Sequence, residues 1–105
     1  MKISWDSEVD NACTELQSGY NKEDTELIVD CFLSFSQIDK ILCTLERYPR
    51  NITTLSLKGD MSIYSWQSKN DGDRTFVFYY QLPFITDLTL KFMNHSTRQF
   101  SQLPH

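Results

Sequence analysis

Apolar residues fall at helical spacing twice along this chain and at alternating spacing several times. Val9, Ala12, Cys13 and Leu16 recur three or four positions apart, which predicts a short helix over residues 6–18. Asp6 or Ser7 is placed to cap it, its acidic first turn suits the positive end of the helix dipole, and Gly19 is placed to end it. Ile38, Ile41, Leu42 and Leu45 form a second stripe at i, i+3, i+4 and i+7. They predict a helix over residues 36–47, with Ser36 and Asp39 as a capping box. Pro49 stops it by pushing Tyr48 toward extended geometry.

Between the two lies Leu27 to Leu33, a short, partly β-branched run that reads as a buried strand. Asp30 interrupts it. An acid there means an edge, a charge partner, or a helix in place of a strand. Beyond residue 50 the pattern is strand-like. Residues 52–57, 61–67, 74–82 and 86–93 alternate or are dense in aromatic and β-branched residues. Lys58-Gly59-Asp60 and Asn70-Asp71-Gly72 read as turns, and Pro83 as a break.

The expected fold is α+β: a two-layer sandwich in the order α-β-α-β-β-β-β. The last four strands would form an antiparallel meander, with both helices on one face of a largely antiparallel sheet. The strand, helix and strand between residues 27 and 57 make a crossover unit if its strands are parallel. Thr54-Leu55-Ser56-Leu57 and Thr86-Asp87-Leu88-Thr89-Leu90 are alike, but two short matches do not make an array. A length of 105 residues suits one domain spanning 1–105. Its last stretch, 94–105, reads as a partly ordered polar tail.

Charge changes the picture more than composition does. The net charge is −4, and it is uneven. Residues 1–30 hold eight acids and two bases, a balance of −6; residues 31–105 hold six acids and eight bases, a balance of +2. Glu8, Asp10, Glu15, Glu23 and Asp24 are candidate contacts for a basic protein partner. Phosphate backbones would be repelled, so nucleic acid is not an expected partner. No apolar run is long enough to span a bilayer, and the first residues lack the apolar core of a secretion signal. A cytoplasmic location and no membrane partner are therefore expected. Three cysteines, Cys13, Cys31 and Cys43, are an odd set without close pairs. They predict thiols rather than disulfides, with Cys31 and Cys43 in the core.

Motifs for catalysis, metal or cofactor binding are not found. The two histidines, His95 and His105, stand without a nucleophile motif. The three glycines are isolated, so no phosphate-cradling loop exists. The cysteines and His95 are too far apart in sequence for an ordinary zinc site. No catalytic, cofactor or metal residues are assigned.

Aromatic residues supply the remaining candidates. Alternation places Phe76, Phe78 and Tyr80 with Leu55, Leu57, Met61, Ile63, Leu88, Leu90 and Phe92 on the core face. It leaves Tyr64, Trp66, Val77 and Tyr79 on the other. Two helical stripes can cover one sheet face only, so Tyr64, Trp66 and Tyr79 become candidate partner-binding residues. An RNA-stacking sheet would need surrounding basic residues that this face lacks. The expectation is a non-enzymatic protein-binding module, of the kind represented by a small acidic inhibitor or an immunity or antitoxin-type protein. The alternatives are a small enzyme or ligand-binding domain with a pocket between helices and sheet, and an oligomeric structural subunit.

Overall fold

A computed structural model describes residues 1–19, 23–48, 51–59, 82–92 and 97–100. Its strands are β1 (Lys2–Ile3), β2 (Glu26–Val29), β3 (Thr54–Gly59), β4 (Asp87–Phe92) and β5 (Thr97–Phe100). Its helices are α1 (Val9–Ser18), which continues a 3-10 turn at Asp6–Glu8, and α2 (Phe35–Arg47).

The five strands make one sheet in chain order. β1 through β4 are mutually parallel, and only β5 runs antiparallel, against β4. The α+β class holds, but the antiparallel meander does not. Parallel neighbours need a crossover rather than a tight turn. α1 provides the crossover from β1 to β2, and α2 the one from β2 to β3. β3 has β2 on one side and β4 on the other, so no further strand can pair with it. The expected turn at Lys58-Gly59-Asp60 fails for the same reason, because Lys58 and Gly59 are paired within β3. The order is also wrong at its start, where the two-residue β1 precedes the first helix. The strands expected at 61–67 and 74–82 lie outside the described residues, apart from Leu82, which is buried. β5 falls within the stretch expected to be a polar tail.

Three strands enter the sheet in one way, which reveals a repeat that pairwise inspection of the sequence dismissed. Thr25, Thr53 and Thr86 each stand two positions before a leucine, which stands two before a second aliphatic residue: Leu27 and Val29, Leu55 and Leu57, Leu88 and Leu90. The Thr25 carbonyl accepts the N–H groups of Thr53 (2.9 Å) and Thr54 (3.2 Å). The Thr53 carbonyl accepts those of Thr86 (2.8 Å) and Asp87 (3.0 Å) in turn. The Thr53 and Thr86 hydroxyls donate to the same two carbonyls, at 3.5 and 3.4 Å. These partners are 28 and 33 residues apart, the length of one strand and its crossover. The chain is a stack of strand-and-crossover units, closed by one reversed strand.

The helices follow the predicted stripes but not the predicted caps. α1 buries Val9, Ala12, Cys13 and Leu16 and ends at Gly19, whose φ of 78° is the left-handed geometry glycine adopts without strain. Glu8, rather than Asp6 or Ser7, stands at its N-cap position but makes no side-chain cap bond to it; the Glu8 carboxylate instead accepts the Ser4 and Trp5 N–H groups at 2.9 and 2.8 Å, closing the preceding 3-10 turn. α2 starts one residue earlier than expected. Ser34 and Gln37 form its capping box in place of Ser36 and Asp39, the Ser34 N–H donating to Gln37 Oε1 at 3.0 Å. α2 buries Ile38, Ile41, Leu42 and Leu45 against the strand residues Leu27, Val29, Leu55, Leu57, Leu88 and Leu90, which join them in one cluster. Tyr48 leaves the helix at φ −124°, as a residue before proline should. Cys13 is buried, but Cys31 is half-buried just past β2, and Cys43 is exposed on α2 rather than in the core. No disulfide joins the three.

Candidate functional site: the open face of the sheet

Because side chains alternate along a strand, the residues between the buried leucines all emerge on the opposite face. Parallel register lines them up in rows. Glu26, Thr54 and Asp87 form the row at the strand entrances; Lys2, Ile28, Ser56 and Thr89 form the middle row. Lys58 and Lys91 are register partners at the exit, next to Asp30. All of these side chains are half-buried or exposed. The positions facing the helices are uniformly aliphatic, whereas these vary in size, charge and hydrogen-bonding capacity from strand to strand.

Charge is ordered along this face. Its entrance carries Glu26 and Asp87. Its exit carries Lys58 and Lys91 beside Asp30, whose carboxylate lies 2.8 Å from Lys58 Nζ and 3.8 Å from the Nζ of Lys2, which reaches over from the middle row. The Lys58 hydrogen bond and charge, then Lys2 and Lys91, hold the Asp30 carboxyl below the ordinary carboxylate range. Asp30, the anomaly in an apolar run, is thus exposed just past β2 and paired. Lys58 Nζ also sits 5.8 Å from the ring centre of Phe32, within cation–π range. Large apolar side chains are exposed at the same end of the sheet, Trp5 (71%) after β1, Phe32 (40%) after β2 and Phe35 (48%) at the start of α2. Sequence reading missed this rim because it sought exposed aromatics only in the C-terminal half.

The acidic candidates are not gathered into one patch. Glu8 and Glu15 lie together along a cleft of about 210 Å³ where α1 meets the β1 edge, and Glu8 is occupied as a cap. Asp10 lies on the other side of α1, paired with Lys40 of α2, which it holds above the ordinary lysine range. Glu23 is exposed, and Asp24 meets the amino group of Met1 at 3.3 Å. Tyr64, Trp66 and Tyr79 lie outside the described residues.

The space between helices and sheet is filled by the core, with Leu27, Leu42, Leu45, Leu55 and Leu57 fully buried. Two further clefts, of about 370 and 340 Å³, are open surface grooves along α1 and α2. Among the described residues, no three His, Cys, Asp or Glu side chains converge as a metal site requires. Among the same residues, no helix is long and apolar enough to cross a membrane. Comparison with protein-family models, curated proteins and solved structures finds no match.

Proposed function

We propose that this chain is a non-enzymatic protein-binding module that engages its partner through the open face of the sheet. The observation that carries this reading is the register. On strands that bury equivalent aliphatic pairs against α1 and α2 on one face, the other face displays Glu26, Ile28, Thr54, Ser56, Asp87 and Thr89 in aligned rows, and neither α1 nor α2 lies over them. Ile52, Leu55 and Leu57, like Ile85, Leu88 and Leu90, match the strand spacing of leucine-rich repeats. Stacked repeats of that architecture use extended surfaces for binding. The likeness is architectural, and function has to be argued from the face itself. The narrower expectation of an inhibitor or immunity protein rests on the acidic N-terminal third and gains no observation from the fold.

The test is site-specific photocrosslinking in host extract. A photoreactive amino acid at Ser56 or at Thr89 should capture one and the same protein, and the same residue at Glu46 on α2 should not. Capture through Glu46 alone would move the binding surface to the helices and end this reading.

A further inference from the structure

We propose that the exit rim of the open face, formed by Lys2, Lys58 and Lys91 with Phe32 beside Lys58 and with Trp5 and Phe35 exposed at the same end of the sheet, docks a short acidic segment of a partner protein that also carries an apolar side chain. This deepens the reading of the open face as a binding surface and rests on it.

The first ground is a charge arrangement that works against the free fold. Lys58 and Lys91 are direct register partners on neighbouring parallel strands, whose backbones lie about 4.8 Å apart. Like charges placed opposite one another destabilise a sheet. Lys58 and Lys2 share the Asp30 carboxylate. Lys58 and Lys91 thus meet with Asp30 beside them, in a chain whose net charge is −4. A partner carboxylate set between Lys58 and Lys91 would turn their repulsion into two charge-assisted contacts.

The second ground is the apolar surface. Trp5, Phe32 and Phe35 are three of the four large hydrophobic side chains most exposed among the described residues. Trp5 follows β1, Phe32 follows β2 and Phe35 opens α2, all at the end of the sheet where the strands exit, and Phe32 lies 5.8 Å from Lys58 Nζ. Aromatics beside cations suit an acidic segment with an apolar anchor. The entrance row argues against a long polyanion, because a phosphate backbone continuing down the strands would meet Glu26 and Asp87.

The test uses a fluorescein-labelled peptide alternating glutamate and phenylalanine, titrated with the full chain and read by anisotropy. The peptide should bind at least tenfold more tightly than its counterpart with lysine in place of glutamate, and binding should weaken as salt rises. The double substitution Lys58→Glu with Lys91→Glu should cost tenfold or more in affinity, and Phe32→Ala a smaller but measurable factor. Arg47→Glu, a single charge reversal on α2 to set against Lys58→Glu alone, should change affinity less than twofold. Circular dichroism of each variant establishes that it is folded. Equal losses from Arg47→Glu would reduce the effect to net charge and overturn the proposal. So would equal binding of a single-stranded DNA oligomer or of phosphatidylserine vesicles, which would make the rim a phosphate site. If photocrosslinks form at Ser56 and Thr89 while Lys58→Glu with Lys91→Glu leaves them unchanged, this inference fails and the open-face reading stands. If no crosslink forms there, the open-face reading itself fails.

Discussion

The two faces of this sheet are built from the same strands, often from adjacent residues, yet they obey different rules. Leu27, Val29, Leu55, Leu57, Leu88 and Leu90 face α1 and α2 and are all but inaccessible to water. One residue along, Glu26, Ile28, Thr54, Ser56, Asp87 and Thr89 face away, and no chemical type repeats across a whole row. Burial demands shape and tolerates little variety. The face turned away from α1 and α2 carries no such demand from them, so a like-charged pair such as Lys58 and Lys91 can persist there. The covered face thus explains why the chain folds, and the open face is where recognition can be sought.

The strongest challenge to this division is a truncation on the covered face. Leu57→Ala should cost about 2–5 kcal/mol, because it leaves a cavity in a packed interior. Thr89→Ala, on the other face of the neighbouring strand, should stay within about 0.5 kcal/mol. Urea denaturation of the two variants measures both, and similar losses would erase the distinction. A smaller effect is expected from Ser34→Ala, which removes the cap of α2. About 1 kcal/mol should be lost, since the Gln37 N–H loses its acceptor while the apolar stripe is untouched. The next is of opposite sign. Lys91→Glu should raise the stability of the free chain by a few tenths of a kcal/mol, by exchanging repulsion for attraction across β3 and β4. Thermal denaturation at low salt resolves it, and a loss in its place would mean that the lysines do not repel.

The smallest expected effect concerns pH. The Asp30 carboxyl is held below its ordinary value by Lys58 first and Lys2 after it. Its contribution is therefore present above the ordinary carboxylate pKa of about 3.9 and is lost as pH falls through its lowered value. Asp30→Asn should leave the chain slightly less stable at pH 7 and equal to the unsubstituted chain in strong acid. A gap that persists there would assign the loss to something other than charge.

Much of the covered face was legible in the sequence. The stripes Val9 to Leu16 and Ile38 to Leu45, the stop at Gly19, and the inward set Leu55, Leu57, Leu88 and Leu90 follow from periodicity alone. Strand direction does not. Alternation is the same whether a neighbour runs parallel or antiparallel, and Lys58-Gly59-Asp60 has the composition of a turn. The deciding signal was a third copy. Thr25, Leu27 and Val29 repeat the pattern of Thr53, Leu55 and Leu57 and of Thr86, Leu88 and Leu90, but Ile28 between them hides the alternation by making the run continuously apolar. The caps were missed because Ser34 and Ser36 both precede a polar residue three positions on, and only backbone geometry separates them. The open face was invisible for a related reason. Lys2, Asp30, Lys58 and Lys91 are scattered in sequence and meet only once parallel register is known.

The reversed direction of β5 has a consequence for how this sheet avoids its own copies. An exposed strand edge is a template on which another chain can add strands, and a six-residue parallel strand such as β4 would be an inviting one. β5 occupies that edge from Leu88 to Lys91 with a strand too short to extend the template far. At the opposite edge the same hazard is limited by brevity, for β1 is two residues long and offers an incoming strand little to grip. Two unrelated devices thus blunt the two rims, and shortening the chain before Thr97 would strip one of them and leave the six-residue β4 as an open template for aggregation.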